Sequence, residues 1–387
     1  MKRYLLKVGF DHFAFGLTIP VGVVWQLSRG INIEQVAIVA SIMTIVTIVT
    51  DIPTGIIADK YGRKPSLALG SAVLGGSFII LALSNSFLLF CLYGLLSGLG
   101  WALLSGAEEA YIYETSDAEG KKYRNALSDV TIVDEVATIC GLAGAAIVSK
   151  YLGIQEAILF ASGLLFISAV LSTIVLTEPT KHLKKIGQVK EKATVSLARL
   201  LKKYPSYLII MLIFAIYYEG GRFLWQPQLV DNGVKAYQLG LLFIIFKLFS
   251  IGGSFFAKKY HTTSLKRPML IAGAVLGVTF ALMSANILVI IIIGFCLYSF
   301  LENYTRVIQS DYLNNLVTSH RASFLSLNNI VRNGYSAALT PVLGIIALTH
   351  VSKGFIALAV LQIIATVALA LLYIRNRHLA KAAKISQ

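Results

Sequence analysis

The sequence predicts an all-α membrane protein of twelve transmembrane helices, arranged as two pseudo-symmetric six-helix bundles. Three observations predict it. The 387 residues are 56% hydrophobic and only 14% charged, with a mean hydropathy of +0.74, a balance that excludes an ordinary soluble domain. Apolar runs of roughly 18 to 25 residues recur along the chain, each able to cross a hydrocarbon core about 30 Å thick as a helix. The second half also echoes the first. GINIEQVAIV followed by RKPSLALGSAVLG is matched 203 residues later by GVKAYQLGLL followed by KRPMLIAGAVLG, and RNALSDVTIVDEV is matched by RASFLSLNNIVRN at an offset of 197. Such self-similarity is the mark of duplicated units. A membrane β-barrel is excluded because runs such as ILVIIIIGFCLYSF do not alternate and exceed the about 9 to 11 residues of a barrel strand.

The first span, at 4–28, carries Asp11 and His12 and lacks a small-residue cleavage site, so it is expected to remain as a helix. The second, at 33–57, ends in the charged turn GIIADKYGRK, beyond which the third covers 66–84. The fourth, 87–113, holds Glu108 and Glu109 near its end; the fifth, 125–149, holds Asp134 and Glu135; the sixth covers 155–176. The lysine-rich stretch EPTKHLKKIGQVKEKATVSLARLLKKYPS interrupts the pattern. Spans seven to twelve follow at 206–229, 237–257, 268–284, 287–310, 322–349 and 353–374. The expected division is therefore a bundle at 1–177, a cytoplasmic linker at 178–205 and a second bundle at 206–387.

A net charge of +15 suggests an acidic partner such as nucleic acid, but the positions of the basic residues point elsewhere. Threading the spans with both termini in the cytoplasm places 26 of the 34 Lys and Arg on that side, with three of them (Lys2, Arg3 and Lys7) counted in the N-terminal segment. Only Arg29, Lys150, Lys235 and Lys353 fall on the opposite side. This is the positive-inside asymmetry of a multi-pass protein of the cell membrane; the lipid bilayer is its expected partner and nucleic acid is not. Cys91, Cys140 and Cys296 all lie within spans, without metal-ligand or disulfide spacing.

The turn GIIADKYGRK bears the most specific pattern: Gly55, Asp59, Lys60, Gly62, Arg63 and Lys64. Gly62 permits a tight turn, and Arg63 offers a forked donor to a carboxylate. In this pattern, with twelve spans, duplicated halves and a long charged central loop, the chain resembles the major facilitator superfamily over its entire length. The resemblance implies that this loop latches the two halves at the cytoplasmic face when the outward-facing state forms. It further implies that Asp59 sits at the N-terminus of the eleventh helix and Arg63 beside an acid at the end of the fourth, for which Glu114 is the candidate. A loop that is simply basic is the alternative.

Ionisable groups inside a bilayer cost about 2.5 to 3.5 kcal/mol each on insertion scales, so they face water or a partner. Glu135, Lys247 and Arg332 each lie about nine or ten residues into their spans, roughly 14 to 15 Å deep and near the midplane. The 197-residue offset pairs Glu135 with Arg332 and Glu109 with Arg306, placing opposite charges at matched positions of the two halves; Lys247 competes as partner for Glu135. Glu219 with Arg222 and Glu302 with Arg306 are read as neutralising one another along a helix. Asp11 lies about 9 Å into the first span and is a candidate proton carrier, as are Glu109, Asp134 and Glu135. Tyr217, Tyr218, Trp225 and Trp101 either stack on a ring-bearing substrate or pack in the core.

Proton-coupled drug exporters of the superfamily carry an arginine early in the fourth helix, where Gly94 stands here, and a Gly-Pro signature in the fifth, where GLAGAA offers Gly141 and Gly144 without proline. The resemblance to those exporters is thus partial. No nucleotide loop, nucleophile elbow or metal cluster is present, so neither a cofactor nor an enzymatic activity is expected. The resulting expectation is a monomeric secondary transporter of a small organic or drug-like solute, exported against entering protons. Uptake or exchange of an anionic metabolite held by Lys247 and Arg332, and a non-transporting receptor or scaffold, are the alternatives.

Overall fold

A computed structural model of the chain describes residues 1–120, 123–178, 212–213, 216, 223–259, 266–316 and 321–385. Among them there is no strand. Helices α1 (Lys2–Thr18), α2 (Gly22–Ser28), α3 (Ile33–Tyr61), α4 (Arg63–Leu83), α5 (Phe87–Ala118), α6 (Tyr123–Tyr151) and α7 (Ile154–Val175) form the first half. The second half contains α8 (Trp225–Asp231), a 3-10 turn (Ala236–Gln238), α9 (Leu239–Lys259), α10 (Lys266–Met283), α11 (Leu288–Leu316), α12 (Arg321–Ala347) and α13 (Val351–Ile385). Among the described residues nine helices are long and apolar enough to cross a membrane, and α1 with α2 makes a tenth span bent by 42°. Pro268–Met283 is a shorter apolar helix, and most of the predicted seventh span lies outside the described residues.

The predicted first span is not continuous. Pro20, between α1 and α2, has no N–H to donate back along the helix, and its ring clashes with the preceding turn; the backbone resumes as α2 only at Gly22. Other boundaries follow local chemistry. Asn32 and Gln35 form a reciprocal cap at the start of α3, with N···O distances of 2.9 and 3.0 Å, satisfying amides that have no partner within the helix. Gly62, at φ 106°, separates α3 from α4 in a conformation that side-chain-bearing residues disfavour. Helices α3, α5 and α11 run past the predicted membrane edges at 57, 113 and 310, to Tyr61, Ala118 and Leu316.

The described chain divides into two compact units, one of Met1–Ile186 with Val234–Ile244, the other of Gly187–Gly233 with Ile245–Gln387. Within the first, α4 packs on α5 and α7, α3 on α5, and α1 on α6 and α7. Lipid tails are as apolar as the side chains, so close contact and hydrogen bonds hold such helices together. Small residues supply the contact: a Cβ added to Gly141 would lie 2.3 Å from Phe13 O and 2.8 Å from Gly16 Cα, so α1 and α6 meet backbone to backbone. Hydroxyls supply the bonds. Thr54 Oγ1 donates to Ala102 O at 3.1 Å, Ser66 Oγ to Leu103 O at 2.9 Å and Ser162 Oγ to Gly75 O at 2.7 Å. In the second unit α10 packs on α11 and α13, and α12 on α13. There Phe295 links Phe246 and Phe355, with ring centroids 5.4 and 5.8 Å apart, and Asn303 Nδ2 donates to Ser250 O at 3.1 Å. Val49, Leu88, Ile174 and Leu371 are among the exposed apolar side chains that lipid would cover.

Candidate functional site

Three helices of the first unit wall an open cavity of ≈ 360 Å³. Each contributes one stripe at helical spacing: Tyr4 and His12 from α1, Glu108 and Glu109 from α5, Tyr123 and Asp134 from α6. The tight α1 to α6 contact at Gly16 and Gly141 holds two of these stripes in register. It allows His12 Nδ1 to lie 2.5 Å from Asp134 Oδ1, and Thr138 Oγ1 donates to the same carboxylate oxygen at 3.3 Å. His12 also meets Phe15 edge-on at 5.4 Å. Glu109 is exposed to the cavity and Glu108 half-buried. At the start of α6, burial and then the neighbouring Glu109 carboxylate push the Tyr123 phenol above its ordinary value.

Behind this wall lies a buried ion pair that hydropathy did not reveal. Lys7, counted from sequence among the N-terminal loop cations, is instead 1% exposed inside α1. Its Nζ contacts Asp11 one turn on and lies 3.8 Å from Glu108 Oε1. Ser71 Oγ, on α4, lies 3.3 Å from each Asp11 oxygen. Asp11 is therefore enclosed by partners, whereas the His12–Asp134 pair and Glu109 border open space.

At the turn between α3 and α4 of the same unit, Arg63 bridges two acids: Nη1 is 2.6 Å from Asp59 Oδ1 and Nη2 is 3.4 Å from Glu114 Oε1. Lys60 Nζ sits 5.2 Å from the Tyr61 ring centre. Gly55 faces open space. The sequence reading missed Glu178, which it assigned to the linker. Its carboxylate accepts from Arg63 N at 2.5 Å and Lys64 N at 3.0 Å, capping α4 where unpaired amides favour an anion. A Cβ on Gly62 would lie 2.8 Å from Glu178 Oε1, so the glycine makes room for the cap.

The remaining candidates fall in both units. Glu135 is half-buried in the first unit, and Lys247 and Arg332 are half-buried in the second. Arg306 donates to Asn303 one turn back. Trp225 is 3% exposed and packs edge-on against Phe246 at 6.4 Å, while Trp101 stacks tilted on Phe15 at 4.7 Å. Tyr217, Tyr218, Glu219 and Arg222 lie outside the described residues.

The family model described as the Major Facilitator Superfamily matches residues 8–341. The chain belongs to the major facilitator superfamily. Solved superfamily structures share its fold. The crystal structure of the nucleoside transporter NupG has a TM-score of 0.79 at 14% identity, covering 96% of this chain and 98% of that one. The structure of a bacterial homolog of the human lysosomal transporter Spinster, inward-facing and unoccupied, has a TM-score of 0.74 at 12% identity, covering 95% of each chain. No curated protein sequence matches this one. This superfamily member is an integral, multi-pass membrane protein. Its Gly94, at the position of the exporter arginine, has a steric reason: a Cβ there would lie 2.8 Å from Val39 O, where α5 crosses α3.

Proposed function

We propose that this superfamily member is a secondary active transporter exporting a small organic or drug-like solute in exchange for protons, by alternating access of two six-helix bundles at 1–177 and 206–387 joined by a cytoplasmic linker at 178–205. Both termini would face the cytoplasm of the cell whose membrane holds it. The observation that carries this reading is the solvent-reachable cavity in which an acid and an imidazole meet across two helices. Adding a proton to Asp134 removes the charge that holds His12, and so loosens a link between α1 and α6. Glu109, exposed in the same cavity, offers a route for that proton. Asp11, enclosed by Lys7 and Ser71, acts on this reading as a clamp that keeps α1 in place.

Charge pairing of Glu135 with Lys247 or Arg332 across the pseudo-twofold is part of the proposal, resting on their matched depth and repeat positions. The loop of Asp59, Arg63 and Glu114, capped by Glu178, is proposed as the cytoplasmic latch. Export is favoured by the small residues Gly141 and Gly144, which keep half of the exporter signature. Exchange of an anionic metabolite is disfavoured by the carboxylates lining the cavity.

Flux measured in proteoliposomes across a panel of organic solutes tests the reading. A solute that moves uphill only while a pH gradient exists is the expected result. Uphill movement indifferent to that gradient but dependent on a counter-anion would overturn it.

A further inference from the structure

We propose that Asp51, on α3, is a further proton-binding residue of the exchange, passing its proton to and from the cavity through the Ser105 hydroxyl. This rests on the transport reading and adds to it an acid from a helix outside the cavity wall. Asp51 lies within a membrane-crossing helix, ten residues before its end at Tyr61, or about 15 Å along the axis. It is exposed, and among the described residues it has no ion-pair partner. Other acids of the unit differ: Asp11 has Lys7, Asp134 has His12, and Asp59 and Glu114 share Arg63. A carboxylate without a counter-charge inside a span is tolerated where it meets water or takes up a proton, and such a residue marks function.

The polar contact that Asp51 makes leads to the cavity. Ser105 Oγ, on α5, donates to Asp51 Oδ1 at 3.3 Å and also reaches Ala102 O at 3.3 Å, and Ser105 lines the cavity with Glu109 one turn further on. Close approach of α3 and α5 brings hydroxyl and acid together: a Cβ on Gly106 would lie 3.6 Å from Gly55 Cα, and Thr47 Oγ1 donates to Gly98 O at 3.1 Å. The backbone beside the acid is polar as well. Pro53, inside α3, has no N–H to return to Val49 O, so the carbonyl two residues before Asp51 lacks its helical donor. A hydroxyl both accepts and donates. The Asp51 carboxyl proton passes to Ser105 Oγ as the hydroxyl proton leaves for water in the cavity, so one proton moves and Ser105 ends neutral.

Charged groups on the helices packed against α3 are few. On α5, Glu108 and Glu109 lie three and four residues past Ser105. On α4, Arg63 is held by Asp59 and Glu114, with Lys64 next to it. Helix α2 has no ionisable side chain. Asp51's own helix carries Glu34 in its first turn, and Asp59 and Lys60 near its end.

Two measurements on the full-length protein test this. Infrared difference spectra between acidic and neutral buffer, recorded in nanodiscs, read the carboxyl itself. Asp51→Asn should remove one protonated-carboxyl band, and Ser105→Ala should shift that band by taking away its hydrogen bond. In sealed proteoliposomes with an internal pH dye, Asp51→Asn should let a labelled solute run downhill while the proton signal and uphill accumulation are lost. Asp51→Glu should restore both, which separates the lost carboxyl from misfolding. Ser105→Ala should slow the proton signal, and Ser105→Thr, which keeps the hydroxyl, should restore its rate. A full set of carboxyl bands in Asp51→Asn, wild-type accumulation in that variant, or a wild-type proton rate in Ser105→Ala overturns the inference. The broader reading fails separately. If the band belongs to Asp51 yet wild-type protein moves solute uphill indifferent to the pH gradient, proton exchange falls and Asp51 stands as a proton-binding residue. If wild type and Asp51→Asn are both driven by that gradient, proton exchange stands and Asp51 falls.

Discussion

Breaking the Lys7–Asp11 pair should be costly, and unequally so for its two members. Their side chains are 1% and 2% exposed, so each would be left as a buried charge if the other were removed, at a cost of about 3 to 5 kcal/mol. The structure then separates them. In Asp11→Asn, Lys7 keeps Glu108 at 3.8 Å as an alternative anion, itself 32% exposed. In Lys7→Met, Asp11 keeps only the Ser71 hydroxyl at 3.3 Å. A full counter-charge offsets a stranded ion more than one neutral hydroxyl does, so Asp11→Asn should fall near the lower end, about 3 kcal/mol, and Lys7→Met near the upper end, about 5 kcal/mol. The double variant Lys7→Met/Asp11→Asn, which leaves neither member of the pair as a stranded charge, should recover at least about 2 kcal/mol relative to the sum of the singles. Denaturant unfolding of the four proteins in mixed micelles measures all three quantities. Equal losses for the two singles, or a double variant that is simply additive, would refute the reasoning.

Other contacts give further expectations. Gly141→Val should destabilise the protein by about 1 to 3 kcal/mol or more in the same unfolding assay, because its Cβ has Phe13 O at 2.3 Å and both helix backbones must separate. Gly94→Arg, although it installs the residue found in exporters, should lower thermal stability and fail to raise flux, since Val39 O at 2.8 Å bars the side chain from the helix contact. Glu178→Ala removes both α4 caps and should cost about 0.5 to 2 kcal/mol. Gly62→Ala, strained at φ 106° and displacing Glu178, should be at least as damaging in thermal melts.

The spans were legible because hydrocarbon thickness imposes a length on each helix, and the family because the turn from Gly55 to Lys64 couples specific residue types to fixed spacing. Local breaks were legible in principle: Pro20 lies in the first span, but a hydropathy reading averages over a single imino acid. The site was legible only as separate residues. Glu109 and Asp134 stand out as acids in apolar runs, yet what joins His12 to Asp134 is the crossing of two helices at Gly16 and Gly141, which no periodicity encodes. Lys7 was misplaced because a lysine near a terminus looks the same whether it reaches solvent or folds onto an acid one turn away. Glu178 was read as linker for a similar reason: the amides it caps are more than a hundred residues earlier in sequence.

The most direct test of proton exchange at the His12–Asp134 pair is a count of protons moved per solute in sealed proteoliposomes, read with an internal pH dye while a labelled solute is driven across by its own gradient. Wild-type protein should move protons opposite to the solute, and Asp134→Asn should let the solute run downhill with the proton signal gone. A proton signal of wild-type size in Asp134→Asn would contradict the account.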